Sequence, residues 1–576
     1  MRYILMVLLF IVSISMQSQG FLHADGQDIV DGAGERVLLR GLGLGGWMVQ
    51  EGYMLQTSNF AGPQHAIKQK IVELIGPEKT EAFYDAYLKN SVTKRDIDSL
   101  KSWGFNTVRL PMHYNLYTPP IEDETNGEIT WIEKGFSLTD SLLKWCEANK
   151  MYLILDLHAA PGGQGKDANI SDYDESKPSL WDSEANKQKM IAFWKKVADR
   201  YKDEPWIGGY DIINEPNWSF TGDHPNGCDE TDNGPLRQLM MDITKAIREV
   251  DANHMVIIAG NCWGNNYNGI FPLWDDNTVI SFHKYWNFNT QEEIQFVLDY
   301  RSKFNAPLWL SESGENSNVW FRDAISLMEK NDIGWCFWPM KKVDNIAGVT
   351  SVTKNPAFDS LLKYWEHGGE KPTVQFAEGA LMQLVENFKM QHVLIQKDVI
   401  DAMFRQVGTD TTLAYTFHEI PGKIPAVEFD LGSHNNAYFD TTLANYWVST
   451  DEHSQGNTGR KFRNDAVDIQ VSTDSENQGY EVFDIADGEW LLFTVNVNKS
   501  ASYDLEIRYA SPNQRGELHL EMDSKNITSN IELPVSSNSY SSFLVKGIYL
   551  KEGVHKMKVL FDTGGFQLKY LKFTPQ

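Results

Sequence analysis

The chain has 576 residues, more than one ordinary domain holds, and its 42% hydrophobic and 23% charged residues rule out a disordered or fibrous protein. Its 78 acidic and 52 basic residues leave a net charge of −26. A field of that sign repels phosphate backbones and anionic lipid, so nucleic acid and membrane surfaces are poor partners, whereas a neutral ligand meets no such barrier.

Met1-Arg2 precedes an apolar run from Tyr3 to Ile14, followed by Ser15, Ser18 and Gly20. One basic residue, a short apolar stretch and a small-residue exit form the pattern of a secretory leader, and fall short of the roughly 20 apolar residues of a membrane span. Residues 1–20 are expected to be removed, leaving a secreted or periplasmic protein without a membrane span. Cys146, Cys228, Cys262 and Cys336 lack zinc-type spacing, and two lie in apolar, strand-like contexts, so buried thiols rather than a disulfide framework are expected.

Short β-rich segments then recur at Val37–Leu42, Asn106–Met112, Met151–His158, Ile207–Glu215, Met255–Gly260, Thr278–Tyr285, Pro307–Ser313 and Gly334–Met340. Most are nearly continuously apolar, as strands covered on both faces should be. Helical patterns separate most of them; in Glu184–Lys202, Met190, Trp194, Val197 and Tyr201 fall at helical spacing. Eight strands alternating with helices predict a closed (β/α)8 barrel, with an open doubly wound sheet as the alternative. Asn261–Asn277 shows little helical period and predicts an irregular crossover.

Helical patterns at Phe376–Phe388 and Lys397–Val407 are expected beneath the barrel. From about Pro421 the period changes to two. Tyr503, Leu505, Ile507 and Tyr509 alternate with Asp504, Glu506 and Arg508, and Met557–Phe561 and Phe566–Tyr570 repeat the pattern. With turn signals such as Lys551-Glu552-Gly553, this predicts an all-β sandwich of the jelly-roll type. The expected division is 1–20 leader, 21–370 barrel, 371–418 helical extension and 419–576 sandwich.

Barrel chemistry belongs at the C-terminal ends of the strands. Those ends read Gly45-Gly46-Trp47, Arg109, Asp156-Leu157-His158, Asn214-Glu215-Pro216, His283-Lys284-Tyr285, Glu312 and Trp338. Polar groups at so many ends of buried strands are not what packing alone selects. Glu215 and Glu312 end the fourth and seventh strands, on opposite sides of a barrel mouth, where one could protonate a departing oxygen while the other attacks an anomeric carbon. Glu315, three residues on, is the rival for the second role.

Taken as a set and in this order, Asn214-Glu215-Pro216, Val108-Arg109-Leu110-Pro111, Leu155-Asp156-Leu157-His158, His283-x-Tyr285, Glu312 and Trp338 resemble family 5 glycoside hydrolases, over about residues 22–370. The resemblance implies a retaining hydrolase of a β-glucan, with Glu215 as acid/base and Glu312 as nucleophile. It implies further that Arg109, His158, Asn214, His283, Tyr285 and Trp338 line the reactive subsite. Around the nucleophile the usual Gly-Glu-Phe-Gly reads Ser311-Glu312-Ser313-Gly314. Arg40–Trp47 and Asp156–Gln164 are similar to the exo-β-1,3-glucanase branch; endo-β-1,4-glucanase, mannanase and xylanase specificities stay open, as does a non-catalytic glycan-binding protein. Trp47, Trp181, Trp218, Trp263, Trp274 and Trp286 follow the strands and are expected to build a sugar-stacking groove, with Trp47 and Trp218 as substrate contacts.

From Ile420 onward, Asp430-Leu431-Gly432, Ala437–Asp440, Gly488-Glu489-Trp490 and Tyr509-Ala510-Ser511 resemble a family 6 carbohydrate-binding module. The resemblance implies a sugar held between Tyr480 and Tyr540, with Gln567 where the family has Asn. Pro425 and Val427 replace its paired glutamates, and neither a metal nor a cofactor is expected. Gly41–Gly46 satisfies G-x-G-x-x-G, but no helix follows it and residues 60–66 contain no acid, so a dinucleotide site is rejected.

Overall fold

The computed structural model describes residues 20–124, 128–222, 224–285, 287–442, 456–536 and 539–576; the expected leader, up to residue 19, and Trp286 lie outside the described residues. Eight strands, β1 (Arg40–Gly43), β2 (Thr107–His113), β3 (Tyr152–Ala159), β4 (Ile207–Asp211), β5 (Met255–Ile258), β6 (Thr278–Lys284), β7 (Leu308–Gly314) and β8 (Gly334–Trp338), form a closed barrel in which β8 pairs with β1. Every pairing around it is parallel, so the open-sheet alternative is excluded. Between β5 and β6 the only helix is the single turn Asn261–Gly264, the irregular crossover that the sequence suggests.

Side chains alternate between the barrel interior and the helix layer. Tyr152, Ile154, Met255, Ile257, Val279, Trp309 and Cys336 pack together inside, joined by Leu22 and Ile29 from the hairpin His23–Asp25/Asp28–Val30. Their neighbours Leu153, Leu155, Val256, Ile258, Ile280 and Leu310 join the larger cluster against the helices. The apolar interior thus fills the N-terminal end, and the next inward positions, Arg109, Asp156, His158 and His283, are polar and lie toward the other end. Period two along each strand dictates both facts.

The helices Val374–Asn387 and Lys397–Met403 lie along the barrel wall rather than beneath it. The first packs on Gln64–Ile75 and Pro77–Ser91, the second on Asn318–Lys330, and Leu394–Ile395 between them pairs with Thr350–Val352. An apolar face with Ala377, Leu381 and Leu384 needs a partner, and the outer helices supply it while the hairpin already seals the bottom.

The C-terminal region is a two-sheet sandwich. One sheet runs His418–Ile420, Trp490–Val497, Gly553–Thr563, Gly516–Met522, Lys525–Asn526; the other runs Ile469–Val471, Tyr480–Val482, Gln567–Pro575, Ala501–Ala510, Ser541–Leu550. Tyr503, Leu505, Ile507, Met557, Val559, Phe561 and Leu568 meet in its core, the alternation legible in the sequence.

The cysteines need a correction. Cys228 and Cys262 form a disulfide, while Cys146 and Cys336 are buried thiols. The bonded pair sits in the loops after β4 and β5; adjacent strands bring these loops together, with Cα atoms 4.6 Å apart.

Candidate active site

A cleft of about 960 Å³ opens at the C-terminal end of the barrel, lined by Glu51, Tyr53, His158, Glu215, Trp263, His283, Tyr285, Glu312, Glu315 and Trp338 among others. Period two by itself would aim Glu312 away from it, because Trp309 faces inward and Leu310 outward. A register shift resolves this: Phe282 pairs with Leu310 but His283 with Glu312, so Ser311 is an extra residue. The bulge turns the carboxylate into the mouth.

Arg109 is wholly buried and serves as the hub. Its Nη1 donates to Glu312 Oε2 at 2.7 Å, Nε to Asp211 Oδ2 at 3.0 Å, and Nη2 to Asn214 Oδ1 at 2.7 Å. Asp156 Oδ1 lies 3.1 Å from Nη2. Burial pushes Asp156 and Asp211 up to about 7, against the pull of Arg109. Both therefore favour the neutral form at mildly acid pH. Tyr285 also donates its hydroxyl to Glu312 Oε1, at 3.0 Å.

Glu215 is held differently. Its backbone adopts φ +43°, a left-handed conformation costly for a non-glycine residue and typical of functional turns. Among the described residues no lysine or arginine forms an ion pair with it. His283 Nδ1 shares a 2.6 Å hydrogen bond with its Oε1, and burial draws His283 down to about 4, so the imidazole is neutral at working pH. Burial lifts Glu215 to about 8, with the carboxylates of Asp167, Asp156 and Glu315 adding and Arg109 opposing. Burial lifts Glu312 as well, aided by Glu215 and opposed by His283 and Arg109. The pair titrates together. Arg109 and Tyr285 both donate to Glu312, whereas Glu215 is paired with the His283 ring, so the two carboxyls sit in different electrostatic surroundings. An oxygen of Glu215 and an oxygen of Glu312 lie within 4.8 Å of each other, and His283 Nδ1 stands 2.6 Å from Glu215 Oε1 and 3.9 Å from Glu312 Oε1.

His158 donates Nδ1–H to Asp156 Oδ2 at 2.9 Å, which leaves Nε2 to accept from Asn214 Nδ2 at 3.4 Å. Its ring stacks on Trp338, centroids 4.8 Å apart and 13° from parallel, and Trp338 donates to the Tyr53 hydroxyl at 3.0 Å. The glycine run rejected as a dinucleotide motif finds its reason here: a Cβ on Gly43 would lie 2.5 Å from the Trp338 ring, and one on Gly45 2.6 Å. The glycines make room for the indole.

Eight of the sequence-derived residues, Arg109, His158, Asn214, Glu215, His283, Tyr285, Glu312 and Trp338, thus meet in one network. Trp47 does not join them; it is 2% exposed, and its indole donates to the Leu88 carbonyl at 2.7 Å within the core. Trp218 lines a separate recess with Trp181 and Phe220, and Trp274 donates to Thr244 on the helix layer. Of the described tryptophans expected to form the groove, only Trp263 lines the cleft. Spacing after a strand cannot tell a ring facing the mouth from one folded back on helices. Asp211, Glu51 and Tyr53 were missed. Asp211 could have been found, since Tyr210 faces the helices and its neighbour must face inward. Glu51 and Tyr53 lie past the strand end, where no period applies.

On the sandwich, Tyr540 donates to the buried carboxylate of Glu481 at 2.7 Å and lies 3.4 Å from Gln567 Oε1. Tyr480 does not face them. Val482 points into the core, so Tyr480 shares that side, packing on Phe462 with centroids 5.2 Å apart, while Glu481 points outward. The expected pair of facing aromatics is therefore not formed by Tyr480 and Tyr540.

A closed barrel whose mouth holds two neighbouring carboxyls, one bound to a guanidinium and one to a neutral imidazole, defines a hydrolase acting on glycosidic bonds. Residues 67–344 match the family described as Cellulase (glycosyl hydrolase family 5), and residues 461–575 the Carbohydrate binding module (family 6). The chain belongs to glycosyl hydrolase family 5, is a glycoside hydrolase, and carries a family 6 module. A Beta-xylosidase of Phanerodontia chrysosporium is 32% identical over 382 residues, which cover 60% of this chain and 75% of that protein. Endoglucanase C of Acetivibrio thermocellus is 25% identical over 331 residues, covering 46% of this chain and 88% of its own. Probable glucan 1,3-beta-glucosidase A of Aspergillus clavatus is 24% identical over 259 residues, covering 44% and 56%.

Proposed function

We propose that the enzyme cleaves β-linked glucan by double displacement, with retention of configuration. The observation carrying this reading is the approach of Glu215 and Glu312 oxygens to within 4.8 Å, close to the roughly 5–5.5 Å of retaining pairs and short of the roughly 6.5–9.5 Å that leaves room for a water in inverting ones. Glu312, ionised by Arg109 and Tyr285, attacks the anomeric carbon as Glu215 passes its proton to the departing oxygen. Glu215, now a base, takes a proton from the water that releases the sugar from Glu312. Neutral His283 accepts or returns a hydrogen bond as Glu215 changes charge. Trp338 offers a flat apolar surface to the reacting ring, and Trp263 does so further along the cleft.

A second reading, cleavage of β-xylosides, is favoured by the relative named a Beta-xylosidase. Purified protein assayed on laminarin, carboxymethylcellulose, mixed-linkage glucan and xylan separates the two. Proton NMR of the first product distinguishes retention, which yields the β anomer, from inversion, which yields the α. Initial release of the α anomer, or turnover of xylan alone, overturns the corresponding part of the proposal. Action outside the cytoplasm is part of the same reading, supported by the apolar N-terminal run and the Cys228–Cys262 disulfide.

A further inference from the structure

The chain leaving the nucleophile does not run directly into its helix. After Glu312 and Ser313 it passes through Gly314 at φ +131° and Glu315 at φ +55°, then Asn316 and Ser317, before Asn318–Lys330 begins. Two successive positive-φ residues, one of them a glutamate, form a turn that persists only where its surroundings hold it. Glu315 lines the cleft and accepts from Lys342 Nζ at 2.9 Å; Lys342 lies over the Tyr53 ring, and Tyr53 takes the Trp338 N–H. A shift of this turn therefore reaches both the nucleophile and the platform under the sugar.

What holds the turn comes from the other domain. Asn464 donates from Nδ2 to the Asn316 carbonyl at 2.8 Å, and its own carbonyl accepts from the Asn318 backbone N–H at 3.1 Å. Asn318 Nδ2 donates to Asp465 Oδ1 at 2.9 Å and to Asp398 Oδ2 at 2.8 Å, and the Asn464 N–H donates to the same Asp398 oxygen at 2.7 Å. Arg463 fixes Asp465 through Nε at 2.8 Å and stacks its guanidinium on Phe429 of the sandwich core. Arg463, Asn464, Asp465, Asn316, Asn318 and Asp398 are all at most 3% exposed. Val319, next in line, packs against both the barrel and the sandwich cores. Buried polar groups partnered across the junction make separation of the two parts costly.

We propose that the sandwich is a fixed part of the catalytic scaffold, and that Asn464 and Asp465 are positioning residues which brace the turn behind Glu312. The inference rests on Glu312 as the attacking carboxylate. It predicts an effect on substrates too small to reach the sandwich, which a tethered binding module would not have.

The test is turnover of a p-nitrophenyl β-glycoside by the full chain. Asn464→Ala removes two side-chain bonds and little volume; its kcat should fall about tenfold to a hundredfold, as misplacement of a reacting group requires, with KM within about twofold. Asp465→Ala should do the same. Tyr549→Ser, on an exposed position of the sandwich, should match wild type. Hydrogen exchange of the amides of residues 314–318, which needs no turnover, should be faster in Asn464→Ala. Wild-type kcat in Asn464→Ala, a change confined to KM, or unchanged exchange overturns the brace. An inactive wild type counts instead against the functional reading, and the exchange measurement still decides the brace.

Discussion

Arg109 donates to Glu312 at 2.7 Å from a position with no access to solvent, so this carboxylate is held from behind by a charge that water does not screen. The same guanidinium binds Asn214, the residue before Glu215, and so ties the two halves of the reacting pair to one rigid group.

Replacing Arg109 with Met should therefore do more than loosen substrate. Removing a cation beside a carboxylate raises its pKa, so the acid limb of kcat/KM should move to higher pH. At the optimum the loss should be about 10²–10³-fold, the scale of removing one preorganised electrostatic donor. A pH–rate profile of the variant reads both effects; an unmoved acid limb contradicts the assignment of Glu312 as the group that must be ionised.

The two glutamates should fail in different ways. Glu312→Gln should abolish turnover while oligosaccharide binding persists, measured by calorimetry. Glu215→Ala should slow natural substrates by about 10²–10⁴-fold, the range of general acid catalysis, yet spare the first step on an aryl glycoside whose leaving group needs no proton. Residual turnover in Glu312→Gln near the wild-type level transfers the nucleophile role to Glu315.

Stability should decline from weakly acid to weakly alkaline pH. Glu51, Asp156 and Asp211 are raised to about 7 and Glu215 to about 8, in each case mainly by burial. Unfolded, these groups ionise near pH 4, so between that point and about pH 7–8 the folded state binds more protons, and stability falls as pH rises. His283, lowered to about 4, works in the opposite direction, but only up to its unfolded value near 6.5. The melting temperature should be higher at pH 5 than at pH 8, and Asp211→Asn should flatten the slope. A melting temperature that rises from pH 6.5 to 8 contradicts this account.

Gly43→Ala tests the space reserved for Trp338. A methyl 2.5 Å from the indole must move the ring, and with it the stack on His158. Overpacking of this kind destabilises by about 1–3 kcal/mol. The variant should show a raised KM for oligosaccharides and altered tryptophan fluorescence; wild-type values of both would mean the ring has room.

Reduction of Cys228–Cys262 should loosen the two loops that follow β4 and β5. The bond closes a separation of 34 residues, for which the chain-entropy estimate is about 3–4 kcal/mol. Trp263, adjacent to Cys262 and itself at φ +52°, donates its backbone N–H to the Pro216 carbonyl beside Glu215. Cys228→Ser should lower the melting temperature and raise KM for polysaccharides more than for aryl glycosides, as steady-state assays on the two substrates would show.

Much of the polar network at the mouth was legible because its members lie on the barrel strands or just past them. Arg109, His158 and His283 stand on the inward parity of segments whose other positions are apolar, and a local period carries that information. Trp47 and Trp218 were misplaced because they lie in loops, where neither period nor spacing specifies the direction of a ring. The disulfide was missed for a related reason: which loops adjoin depends on strand order, which is a property of the closed barrel.

By itself the sequence determined the eight barrel strands and the change to period two near residue 421, since both follow from short-range alternation and composition. Tertiary structure decided that Glu312 faces the cleft at all, because the bulge at Ser311 is a mismatch between neighbouring strands and exists only when they pair. It also decided that Asn464 and Asp465, some 150 residues beyond Glu312, close over the turn behind it. Contacts between distant segments are set by how whole domains pack, and no local pattern encodes them.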